Sequence, residues 1–148
     1  MKATPLADVT LLAPIPRPRR NVLCIGKNYR DHIREVAGAA QSEPARAALD
    51  AVPEYPIVFS KLPDAVIGPD APIYYPDGVS DQLDYEAELG VIIGKGGRAI
   101  RESDAMSHVF GYTIINDVTA RDWQNRHKQW LLGKSFDTFC PMGPWIVT

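Results

Sequence analysis

Glu86 and Glu88 stand two residues apart in the run from Gln82 to Gly94, where Tyr85, Ala87, Leu89 and Val91 alternate with Asp84, Glu86, Glu88 and Gly90. An alternation of period two predicts a strand, and carboxylates at i and i+2 leave a strand on the same face with roots roughly 7 Å apart. That separation lets both reach one ion. Magnesium and manganese take hard oxygen ligands and keep open positions for water or substrate, so two or three carboxylates suffice. Asp117, which follows the apolar run from Tyr112 to Ile115, is the candidate third ligand. Taken alone, the E-x-E pattern equally describes the solvated face of a half-exposed strand.

Other side chains could serve acid-base or charge-stabilising chemistry. His32 and Glu35 are three residues apart, a helical spacing at which a carboxylate can orient an imidazole and raise its basicity. Lys134, after Gly133, could offer a cation to a substrate carboxylate. Each pattern also occurs on ordinary solvated surfaces. Cys24 and Cys140 lie far apart, and His32, His108 and His127 form no H-x-x-x-H pair, so a zinc site is disfavoured and buried free thiols are expected. The Gly94-Lys95-Gly96-Gly97 cluster does not match a nucleotide loop, because Gly90 is one residue too close and Gly96 stands where Ser or Thr should be. It reads as a turn with several left-handed positions. Trp123, His127 and Trp130 form a packing stripe at helical spacing.

The elements that must position these groups read as mostly strands with short helices. Four prolines in residues 1–20 predict an extended lead-in or edge strand. Strands are expected from Asn21 to Ile25, Ile57 to Lys61, Ile73 to Tyr75, Gln82 to Gly94 and Tyr112 to Ile115, near Phe139, and from Pro144 onward. A helix from Tyr29 to Ala37 is capped by Asn28, and the stretch from Ala39 to Pro53 reads as a surface lid with a short helix at Ala45 to Ala51. Ser103 opens a short helix to about Val109. Thr119 with Asp122 forms a capping box for a helix from Ala120 to Trp130.

With 148 residues, 45% hydrophobic and 23% charged, the chain has the composition of one globular domain. A net charge of -2, with Lys and Arg scattered rather than striped, argues against nucleic acid and anionic membranes as partners. The apolar runs are too short to span a bilayer, and the start lacks the pattern of a signal peptide, so a cytoplasmic protein is expected.

Four separated motifs agree in order and spacing with one family. G-K-N-Y-R-D-H-I-R-E at Gly26 to Glu35, Y-E-A-E-L-G at Tyr85 to Gly90, N-D-V-T-A-R-D at Asn116 to Asp122 and G-K-S-F-D at Gly133 to Asp137 resemble the fumarylacetoacetate hydrolase family. The resemblance covers nearly all of the chain from Asn21. It implies an α+β, mostly β fold, a mixed β-sandwich roll with short peripheral helices, in which residues 1–20 lead into a catalytic domain at 21–148 that continues beyond this chain. It assigns magnesium or manganese to Glu86, Glu88 and Asp117, a water-activating dyad to His32 and Glu35, and a site cation to Lys134. Gln124, Lys61 and Arg30 become polar residues toward the substrate.

The activity implied is metal-dependent hydrolysis of a carbon-carbon bond in a small acylpyruvate or fumarylacetoacetate-like oxo-acid, as in aromatic-compound catabolism, by a homodimer. Isomerisation or decarboxylation of a 2-oxo or 2-hydroxydienoate diacid uses the same enolate chemistry without an attacking water. A metal-free binding domain, or an inactive fragment with exposed strand edges, is the reading from another class.

Overall fold

The computed structural model describes residues 3–29, 31 and 53–148. His32, Glu35 and Arg30, the helix expected from Tyr29, its stop at Gly38 and nearly all of the expected lid lie outside the described residues. The chain divides into two compact units, Leu23–Ser60 and Met1–Val22 with Lys61–Thr148.

β1 (Val22–Gly26) pairs with β2 (Ile57–Lys61) as a two-stranded sheet, which apart from its terminal residues Val22 and Lys61 belongs to the smaller unit. Both strands stand where the short apolar runs predict them. The larger unit holds a four-stranded sheet in the order β3-β8-β6-β5, built from β3 (Val66–Ile67), β5 (Ala87–Ile93), β6 (Val109–Asn116) and β8 (Cys140–Val147). β3 runs parallel to β8, whereas β5, β6 and β8 pair antiparallel. β4 (Leu83–Asp84) and β7 (Thr119–Ala120) form a small antiparallel ladder beside it. Two short helices, α1 (Arg121–Arg126) and α2 (Leu131–Lys134), follow β7, and 3-10 turns cover Leu6–Asp8, Pro63–Ala65 and Glu102–His108. The protein is mostly sheet with a few short helices, as expected.

The core is split in two. Ala13, Ala65, Ile115, Cys140 and Met142 pack together under the large sheet, and Val118, Ala120 and Phe139 form a second cluster with Leu83, Trp123 and Phe136. Phe139 is wholly buried, which for such a side chain stabilises by roughly 1.5–3 kcal/mol. Ala13 ties the proline-rich lead-in to this core, and residues 1–20 form no strand among the described residues.

Four expectations need correction. The run from Gln82 is broken at Tyr85 and Glu86 into β4 and β5. Ile73 to Tyr75 is not a strand, because Pro72 and Pro76 withhold donors and the Tyr74 N–H donates to Thr138 Oγ1 at 2.6 Å. The capping box does not form: Thr119 Oγ1 donates to the Asp117 carbonyl, Asp122 accepts from Ser80 Oγ at 2.6 Å, and the helix ends at Arg126 with His127 extended. Among the described glycines only Gly78 and Gly143 adopt left-handed φ. Gly94 serves instead as a close approach, since a Cβ there would lie 2.7 Å from Cβ of Phe110.

β5 reverses the usual sidedness of a surface strand. Glu86 and Glu88 are partly buried and Gly90 is buried, while Leu89, Val91 and Ile93 are exposed. In the ladder Glu88 sits opposite buried Ile115 and Gly90 opposite buried Thr113. The acids therefore line the inner side, and the solvated-strand reading of E-x-E fails on burial.

Candidate active site

The β5–β6 ladder sets the first contact. Ala87 pairs with Asn116, and one step beyond it the Asp117 N–H donates to the Glu86 carbonyl at 2.8 Å, so the two acids leave neighbouring backbones at the same level. Asn116 Oδ1 accepts from the Glu86 N–H at 3.3 Å and closes this end of the ladder. Asp117 is 3% exposed.

Lys134 reaches the pair from the last residue of α2. Its Nζ donates to Glu86 Oε2 at 2.6 Å and to Asp117 Oδ2 at 2.7 Å, and the residue is 1% exposed. The preceding Gly133 packs so closely on α1 that a Cβ would lie 2.5 Å from the Gln124 nitrogen. The short second helix therefore delivers Lys134 because residue 133 lacks a side chain.

Two further cations hold the outer oxygens. Arg121, at the start of α1, donates from Nη2 to Glu86 Oε1 at 2.6 Å and to Asp84 Oδ2 at 2.7 Å, from Nε to the same Asp84 oxygen at 3.0 Å, and from Nη1 to Gln124 Oε1 at 2.9 Å. Lys61, at the end of β2, donates from Nζ to Asp117 Oδ1 at 2.6 Å and to the Val118 carbonyl at 3.0 Å, and also to the Lys134 carbonyl. Planar guanidinium geometry suits Arg121 to span several oxygens, which a lysine in its place would not do.

These contacts set the ionisation. Burial works to raise the Glu86 carboxyl, but the Lys134 and Arg121 cations outweigh it and hold the group at about 2. Burial pushes the Lys61 ammonium below its ordinary value, with Asp117 opposing that shift. Burial raises the Cys140 thiol to about 11, so this cysteine is a packed core thiol, as expected, and not a nucleophile.

The structure thus unites Glu86, Asp117 and Lys134 from the sequence-predicted set, and adds Gln124 through Arg121. Lys61 joins them as a wholly buried residue whose ammonium faces protein acceptors. Glu88 lies on the same strand, two residues along, and is partly buried. Among the described residues, no three Asp, Glu, His or Cys are gathered tightly enough to enclose an ion by themselves. Sequence reasoning gave no role to Arg121 or Asp84. The available signal was Arg121 three residues before Gln124, on one side of the first helical turn.

A hard divalent cation nonetheless fits the donor set. Two carboxyl groups already converge on one cation, the Lys134 ammonium, which stands in for the charge that hard oxygen donors attract.

Residues 21–148 match the fumarylacetoacetate hydrolase C-terminal family. The chain belongs to that family. Oxaloacetate tautomerase YisK of Bacillus subtilis is 52% identical over 142 residues, covering 96% of this chain and 44% of its own length. A solved structure described as 5-carboxymethyl-2-hydroxymuconate delta-isomerase from Mycobacterium smegmatis matches with a TM-score of 0.78 and 41% identity, over 98% of this chain and 50% of that one. The structure of fumarylacetoacetate hydrolase from Exiguobacterium antarcticum matches with a TM-score of 0.74 and 48% identity, over 93% of this chain and 45% of that one. The chain therefore spans about half the length of these family members. No helix among the described residues is long and apolar enough to cross a membrane.

Proposed function

We propose that the chain carries the carboxylate–lysine centre of an isomerase that moves a proton between carbon and oxygen in a small 2-oxo diacid, such as the enol and keto forms of oxaloacetate. The observation that carries this reading is the pair of acids, Glu86 and Asp117, sharing the buried Lys134 ammonium. Magnesium or manganese would be held by Glu86, Glu88 and Asp117 and would supply Lewis acidity toward the 2-oxo group and its carboxylate. Lys134 places positive charge where negative charge builds on oxygen as the substrate enolises. Arg121 fixes Glu86 and the amide of Gln124, so Gln124 is oriented before substrate arrives.

Proton transfer of this kind needs no attacking water. Hydrolysis of an acylpyruvate, the activity implied first by the resemblance, would need His32 and Glu35 to activate one. The names of the tautomerase and isomerase relatives favour isomerisation, and the 48% identity to a protein described as fumarylacetoacetate hydrolase keeps hydrolysis as the second reading. In both readings residues 21–148 form the catalytic portion and 1–20 the lead-in. Scattered basic residues support a cytoplasmic small-molecule enzyme, and the exposed apolar face of β5 supports a homodimer.

The test follows the ultraviolet absorbance of enol oxaloacetate with magnesium or manganese present, beside pyruvate release from an acylpyruvate. Accelerated loss of the enol that survives His32→Ala and disappears in Glu86→Gln is the expected result. Cleavage of the acylpyruvate with no acceleration of the enol would overturn the isomerase reading.

A further inference from the structure

Lys61 is wholly buried, as few charged side chains are. A lysine ammonium carries three donors and accepts nothing, and all three of these donors have acceptors: Asp117 Oδ1, the Val118 carbonyl and the Lys134 carbonyl. Those partners lie 56, 57 and 73 residues away in sequence. Within the larger unit, one side chain thus joins residue 61 to the β6–β7 connection and to the end of α2. Stripping a cation of water costs several kcal/mol unless geometry and hydrogen bonds compensate. With no exposed surface and three protein partners, Lys61 has neither a free donor nor an open face for a substrate.

What it does face is decisive. Asp117 presents Oδ1 to Lys61 and Oδ2 to Lys134, so holding the first oxygen fixes the direction of the second. Holding the Lys134 carbonyl fixes the backbone from which that ammonium extends. We propose that Lys61 is a positioning residue, which orients the Asp117 carboxylate and the backbone of Lys134 so that both meet Glu86, and that it makes no contact with substrate. The inference rests on the reading of Glu86, Glu88 and Asp117 as a divalent-cation site.

Manganese affinity of the purified protein, read from the spin-resonance signal of free ion, tests this without reference to turnover. Partners that orient metal ligands typically contribute 10- to 100-fold in affinity, so Lys61→Met should weaken manganese binding by about 10-fold or more. Removing a positive charge beside the acids would by itself tighten binding, so orientation and simple electrostatics predict opposite signs. At saturating manganese, substrate KM should stay within about twofold of the unaltered protein, because no substrate contact is lost.

Unchanged or tighter manganese binding would overturn the proposal, as would unchanged metal affinity with a raised KM, the mark of a substrate contact. If Lys61→Met does not melt cooperatively, Lys61→Gln is judged by the same criteria. If neither variant folds, Lys61 is a folding requirement and the positioning role is overturned. Glu86→Gln serves as the control: if it too leaves manganese affinity unchanged, the metal reading itself has failed, whereas an effect there with none at Lys61 removes only the role of Lys61.

Discussion

Glu86 and Asp117 stand side by side one step beyond the first rung of the β5–β6 ladder, joined by one backbone hydrogen bond of 2.8 Å, with their carboxylates turned onto a single ammonium. Lys134→Met removes that ammonium and leaves two poorly solvated acids facing each other, held only on their outer oxygens by Arg121 and Lys61, so the fold should loosen. Breaking a buried pair from one side costs about 3 kcal/mol. The variant should melt lower than the unaltered protein without divalent ions and regain more of the loss when magnesium is added. Calorimetric melts with and without the ion check this, and equal gains in both proteins would show that Lys134 and the ion do not share those oxygens.

Acid sensitivity follows from the same contacts. The Glu86 carboxyl lies at about 2 in the fold against an ordinary 4.5. The unfolded chain therefore binds the proton more readily, and the stability due to this group is fully present above about 4.5 and is lost as pH falls toward about 2. Urea midpoints measured down through that window should fall, and Glu86→Gln should flatten the slope there.

Arg121→Lys keeps the charge but cannot span Asp84, Glu86 and Gln124 together. Each lost hydrogen bond to a charged group is worth about 1.5–3 kcal/mol, though partial exposure of Arg121 and Asp84 reduces this. Expected outcomes are a loss of kcat/KM of about 10-fold or more and a lower melting temperature. Retention of full activity would show that Gln124 and Glu86 need no such clamp.

Gly133→Ala places a methyl group 2.5 Å from the Gln124 nitrogen and 2.8 Å from the Ala120 carbonyl, and these backbone atoms cannot turn aside. α2 must then move off α1, carrying Lys134 with it. Overpacking of this sort costs about 1–3 kcal/mol. Activity should fall by more than the stability loss alone explains, measured well below the melting transition.

Particular residues show why the fold was more legible than the site. Ile57 to Lys61 and Tyr112 to Ile115 read as strands because β-branched and aromatic runs are local signals. Thr119 and Asp122 misled because their side chains have two possible sets of partners, and tertiary contacts to Asp117 and Ser80 won over capping. Glu86, Asp117 and Lys134 were reachable through motif resemblance. Arg121, although inside the N-D-V-T-A-R-D motif, has no role legible in the sequence, since its partner Asp84 is 37 residues away and no local pattern reports such a distance. For Lys61 the resemblance implies a polar residue of the pocket, and its complete burial, invisible in sequence, adds three protein acceptors to that reading.

The hydrogen-bonded cluster is also electrically closed. Lys61, Arg121 and Lys134 contribute three positive charges, and Asp84, Glu86 and Asp117 contribute three negative ones. A diacid arriving alone brings two uncompensated charges into a half-buried space, and a divalent ion arriving alone leaves one positive charge uncompensated even with Glu88 counted. Arriving together, they cancel. On the function proposed above, cation and dianion would therefore be thermodynamically linked ligands, each strengthening the other's binding by the same factor. Their concentrations trade against each other: scarce metal would appear in the cell as poor affinity for substrate.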